Sequence, residues 1–79
     1  MEDTMSPAAE PAASISSREL MEAVASAPPR YRDAVISVDI LGMSYGEAAR
    51  ALRAREKTIA TRLHRGRQHV AQELIDHGP

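Results

Sequence analysis

Five residues spaced four, three, four and four apart, Ile59, Leu63, Gly66, Val70 and Leu74, restrict this chain more than any other feature. At ~100° per residue they form one narrow stripe along a helix. Opposite the stripe stand Lys57, Thr61, His64, Arg65 and Gln68, with Ala60 on one flank and Thr58 and Arg62 on the other. A helix patterned this way must lay its stripe on other elements, so the rest of the chain has to supply the packing surface. Among 79 residues only Tyr31 and Tyr45 are aromatic and none is cysteine. The partners must therefore be Ala, Val, Ile, Leu and Met, with no disulfide or Cys-ligated zinc to help. That composition favours packed helices over a sheet sandwich and predicts an all-α fold.

Local signals divide the remainder into three shorter helices. Residues 1–15, rich in Ala, Pro, Ser and acid, lack either periodicity and read as a flexible linker or tail. Ser16-Ser17-Arg18-Glu19 has the spacing of a capping box, in which hydroxyl and carboxylate satisfy each other's orphan backbone N–H groups. A first helix is expected over 17–26, with Leu20, Met21 and Val24 on its apolar face, ending before Pro28-Pro29. Pro29 suits the first turn of a second helix. That helix places Tyr31, Ala34, Val35, Val38 and Leu41 inward and Arg30, Arg32, Asp33 and Asp39 outward, and closes at Gly42. Ser44-Tyr45-Gly46-Glu47 is a second capping box, starting a short third helix at 45 that buries Ala48 or Ala49 and Leu52. Met43 and Tyr45 read as core residues around this turn. Only a turn around 53–56 separates the third helix from the fourth. The expectation is a small four-helix domain over 16–76 whose last two helices form a helix-turn-helix.

Charge is segregated along the chain. Residues 1–49 hold three basic and eight acidic side chains, whereas residues 50–67 hold seven basic ones against Glu56 alone. A basic block in an otherwise acidic chain suggests an element that faces a polyanion. The longest runs without charge, such as 11–17 and 40–46, are too short for a membrane span or a secretory core, which predicts a soluble, cytoplasmic protein without membrane insertion. His64 and His69 lie about 140° apart around the helix, so they cannot share a metal from one face, and no nucleophile, base and orienter array is present. Neither a metal, a cofactor nor an enzymatic activity is expected.

A short helix, a tight turn and a longer basic-faced helix is the arrangement that places the second helix in the major groove of DNA. The groove is wide enough for a helix, so side chains can reach base edges while flanking cations neutralise phosphates. On this reading Lys57, Thr61, His64, Arg65 and Gln68 face bases, and Arg53, Arg55, Thr58, Arg62 and Arg67 hold phosphates.

Three runs carry a resemblance to a known family: Pro28-Pro29-Arg30-Tyr31-Arg32-Asp33-Ala34-Val35, Leu41-Gly42-Met43-Ser44-Tyr45-Gly46-Glu47-Ala48-Ala49, and Thr58-Ile59-Ala60-Thr61-Arg62-Leu63-His64-Arg65-Gly66-Arg67. Over about 17–75 the chain resembles region 4 of bacterial sigma factors, and most of all the extracytoplasmic-function group. The resemblance implies a domain that recognises the −35 promoter element, docks on the flap of the RNA polymerase β subunit, and is covered in many members by an anti-sigma factor. It also implies a nucleoid location. No region 2 precedes the domain, so the expectation is either a fragment excised from a longer sigma factor, with 1–15 as interdomain linker, which is favoured, or a free-standing region 4 protein. For the protein partners, the second helix offers Val35, Ile36 and Ile40. The alternative is a sigma-like helical adaptor or decoy that binds the flap or an anti-sigma factor without reading DNA. Arg53 and Lys57 stand where the family usually has glycines, and Ala60 where it often has Lys or Arg.

Overall fold

In a computed structural model, which describes residues 15–76, the described chain is all-α and contains no strand. Helix α1 spans Ser17–Ala25, α2 Pro29–Val35, α3 Tyr45–Leu52 and α4 Glu56–Asp76. Residues 1–14, most of the expected linker, lie outside the described residues.

Both capping boxes form. The Glu19 amide donates to Ser16 Oγ at 3.0 Å, and the Ser16 amide to Glu19 Oε1 at 3.0 Å. The equivalent bonds at α3 join Glu47 and Ser44 at 3.0 and 2.8 Å. Each box satisfies two backbone donors that helix geometry leaves without a partner. Pro29 opens α2, as its fixed φ and missing N–H allow.

The second helix departs from the expected path. After Val35 it continues as a π-helical turn, Ile36–Ile40, in which the Leu41 amide donates to the Ile36 carbonyl five residues back at 2.8 Å. Gly42, at φ 75°, then reverses the chain. Each residue of the wider turn advances its side chain by less than the ~100° of an α-helix, so the inward face slips. Ser37 is consequently buried, and Leu41, expected in the core, is 63% exposed. Asp39 stays exposed, as expected, and the turn brings its carboxylate beside the flank of α4.

Helix α4 is the spine, packed by all three other helices. Ile59, Leu63, Gly66 and Val70 of the stripe are buried, and Leu74 packs half-buried beside them. One core cluster joins Ala23, Val24, Ala34, Val35, Leu63 and Val70. A second, smaller cluster joins Ala48, Ala49 and Ile59, and half-buried Val38 touches both. On α1 the buried face is Ala23 and Val24; Leu20 and Met21 are exposed, because α1 lays only its C-terminal half on the bundle. Tyr45 too lies nearer the surface than expected, whereas Met43 packs half-buried against the smaller cluster.

Gly66 sets how closely α2 approaches. A Cβ at this position would stand 2.5 Å from Val35 Cγ2 and 2.9 Å from the Tyr31 carbonyl oxygen, closer than real Cβ atoms come. Glycine inside a helix ordinarily costs about 1 kcal/mol relative to alanine, and here the missing side chain is what lets the two backbones meet.

Candidate nucleic-acid interface

The turn between α3 and α4 is three residues, 53–55. Arg53 caps α3 in the left-handed conformation at φ 57° and ψ 49°, a position usually given to glycine. The Ala54 amide donates to the Ala49 carbonyl at 2.9 Å, closing the turn. Cluster burial of Ala48, Ala49 and Ile59 then fixes α3 against the first turns of α4. Small side chains allow the close approach that a helix-turn-helix needs.

With the stripe buried, the opposite side of α4 is open. Lys57, Thr61, His64, Arg65 and Gln68 are all exposed and share this face. The Thr61 hydroxyl donates to its own helix at the Lys57 carbonyl, 3.2 Å away, which leaves its oxygen lone pairs outward. Arg53 and Arg55 are exposed in the turn, and Thr58 and Arg62 are half-buried on one flank of the open face.

Arg67, on the other flank, differs from these cations. Its Nε donates to Asp39 Oδ2 at 2.9 Å and its Nη2 to Asp39 Oδ1 at 2.6 Å. This bidentate hydrogen bonding holds the Arg67 guanidinium in its charged form more firmly than usual, a preference reinforced by the negative charge of Asp39 and by neighbouring Tyr45. Arg67 is thus committed to the π turn in this structure, because that turn brings the Asp39 carboxylate beside it.

The first flank opens onto a groove. Its walls are the start of α2, with Pro28, Pro29, Arg30 and Tyr31, and the side of α4 bearing Lys57, Thr58, Thr61, Arg62 and Arg65. Four cations and no acid line it. Arg30 is outward, as expected; its place beside the open face of α4 depends on how α2 crosses α4, which no local pattern announces.

Of the expected partner surface, Val35 is a core residue at 4% exposure and is not available to a partner. Ile36 is half-buried against the larger cluster, and Ile40 is exposed. Leu41 and Tyr45, next along the chain, are exposed too, so the outward apolar margin lies past the π turn, further along the chain than expected. His69 is half-buried with its Nε2 3.0 Å from Ser26 Oγ, tying α4 to the end of α1.

Residues 17–70 match the model of the family described as Sigma-70, region 4. The chain belongs to that family. Over 59 residues this region 4 chain is 41% identical to the ECF RNA polymerase sigma factor SigE of Mycolicibacterium smegmatis. The aligned stretch covers 75% of the chain and 23% of that protein, so the chain spans about a quarter of the curated relative's length. No solved structure matches it. Among the described residues of this region 4 chain, no helix is long and apolar enough to cross a membrane.

Proposed function

We propose that this chain is the promoter-reading domain of a bacterial sigma factor, with α4 as the helix that enters the major groove at the −35 element. The observation that carries the reading is the two-sidedness of α4 in a region 4 chain: a buried stripe on one side and five exposed polar or cationic side chains on the other. Lys57, Thr61, His64, Arg65 and Gln68 face base edges, and Arg65 is suited to the bidentate contact with guanine O6 and N7. Arg53, Arg55, Thr58 and Arg62 hold phosphates and set register. Arg67 joins them only by exchanging Asp39 for a phosphate. The domain performs no catalysis and needs no cofactor; it acts in the cytoplasm, at the nucleoid, as one part of a longer sigma factor.

The proposed protein contacts use the apolar margin at Ile36, Ile40, Leu41 and Tyr45. Exposed Ile and Leu beside an aromatic suit helix-in-groove packing by a polymerase flap segment or an anti-sigma factor. Ile40→Asp weakens that binding and leaves DNA affinity alone.

Selection from a randomised duplex pool, with and without RNA polymerase, tests the reading. Enrichment of one sequence that the chain then binds in preference to its scramble is the expected result. Capture of polymerase with no preference for any duplex favours the adaptor instead.

A further inference from the structure

The groove beside the open face of α4 shares Lys57, Thr61 and Arg65 with the base-facing set and adds Arg30 from α2, so that four cations and no acid line it. Arg30 stands on one wall; Lys57, Arg62 and Arg65 stand on the other; Pro29 and Tyr31 give the α2 side a stiff apolar lining. No ion pair occupies any of these four cations among the described residues, in contrast to Arg67 on the opposite flank, which Asp39 neutralises. A helix seated in the major groove has a sugar-phosphate backbone on each side. The two flanks of α4 therefore meet two strands with unequal charge.

We propose that the groove between the start of α2 and α4 seats the sugar-phosphate backbone of one DNA strand, with Arg30 and Arg62 binding phosphates from opposite walls. This rests on the DNA-binding reading above and adds to it a second element and a strand preference. Charge complementarity selects the occupant: four cations without an acid attract a polyanion, and the groove opens along the same side as the base-facing residues. Tyr31 and Pro29 pack against sugar rings, which are apolar on their faces. Gly66 keeps Arg30 near enough to act, because it admits α2 to van der Waals distance from α4.

The test uses the 79-residue chain and a random-sequence 20-base-pair duplex, since phosphate contacts are independent of sequence. Binding is measured across salt for Arg30→Lys, Arg30→Ala and Arg30→Glu. The log–log salt slope should keep its wild-type value in the lysine variant and flatten by about one unit in the alanine variant. The glutamate variant should flatten it further. Arg30 is exposed, so helical circular dichroism and melting should be the same for all three. Because the chain has no cysteine, Arg30→Cys can also carry an iron chelate at a single site, and on a duplex holding the sequence enriched by selection, which fixes register, its hydroxyl-radical cuts should fall on one strand, at one end of the bound site.

Wild-type affinity and slope in Arg30→Ala, while Arg62→Ala lowers both, overturns the groove proposal and leaves promoter reading intact. Loss of polyglutamate binding in the Arg30 variants with DNA binding unchanged also overturns it, giving the groove to an acidic segment of a protein. A wild-type chain that binds no duplex at low salt overturns both readings.

Discussion

Around the middle and C-terminal half of α4, the core holds Val24, Val35, Leu63 and Val70 with two alanines; around its first turns only Ala48, Ala49 and Ile59 are buried. The first group buries several branched side chains, each worth roughly 1.5–3 kcal/mol when fully withdrawn from water, whereas the second has one. Yet the second group holds the geometry on which the proposed DNA reading depends. Each region has one complete capping box, at Ser16 and Glu19 and at Ser44 and Glu47, and the second adds a left-handed cap at Arg53. With less apolar area, the proposed reading head rests more heavily on its helix ends.

Four substitutions and one control break or sharpen that contrast. Leu63→Ala removes a side chain at 1% exposure from the larger cluster and should cost about 2–5 kcal/mol, enough to unfold most of so small a domain. His64→Ala, one residue on and exposed, should leave the melt unchanged; equal losses from the two would undo the assignment of faces. Gly66→Ala ranks second. Its new methyl meets Val35 and the Tyr31 carbonyl, so α2 must retreat, at about 1–3 kcal/mol by thermal unfolding.

Ser44→Ala tests the reading head by its cap, with an expected loss of about 1 kcal/mol in chemical denaturation. A pH signature accompanies it. Hydrogen bonds from the Ser44 amide and hydroxyl, with a smaller contribution from Arg50, hold Glu47 below its ordinary pKa of 4.5. A carboxylate depressed on folding stabilises fully above that ordinary value and loses its contribution as pH falls through the lowered one. The wild type should therefore weaken as pH drops below about 4.5, and Ser44→Ala should show a slightly shallower decline over the same range, since the hydroxyl's contribution is lost while the backbone amide of residue 44, the larger cause, remains. The smallest effect is a gain. Arg53→Gly relieves a left-handed non-glycine residue and should raise stability by roughly 0.5–1 kcal/mol, offset in part by glycine's freer unfolded chain. Its DNA affinity should fall as its stability rises, which separates folding from function at one residue.

Local chemistry was legible before any coordinates. Ser16, Ser44 and the prolines mark helix starts because capping is a matter of three or four neighbouring residues, and the α4 stripe shows because its period repeats for about four turns. Nothing local marks the π turn. Its five-residue hydrogen bonds use the same backbone groups as an α-helix, and the Ile36–Ile40 side chains suit either, so helical periodicity points Leu41 inward where the structure exposes it. The bonds of Arg67 to Asp39 and of His69 to Ser26 cross 28 and 43 residues. Such pairs depend on crossing angles, and so does the company Arg30 keeps.

Helix α4 runs 21 residues without interruption and is at once the spine of the fold and its proposed reader of DNA. Exchange of one outward residue for another leaves the spine untouched, so new binding preferences are reachable by single substitutions in a domain that still folds. Loss or gain of a residue between Ile59 and Val70 is different in kind. It would turn everything beyond it by ~100°, taking the apolar stripe out of the core and the reading face out of line together. Descendants of this chain can therefore drift in what they recognise while the spacing along α4 stays the same, residue for residue.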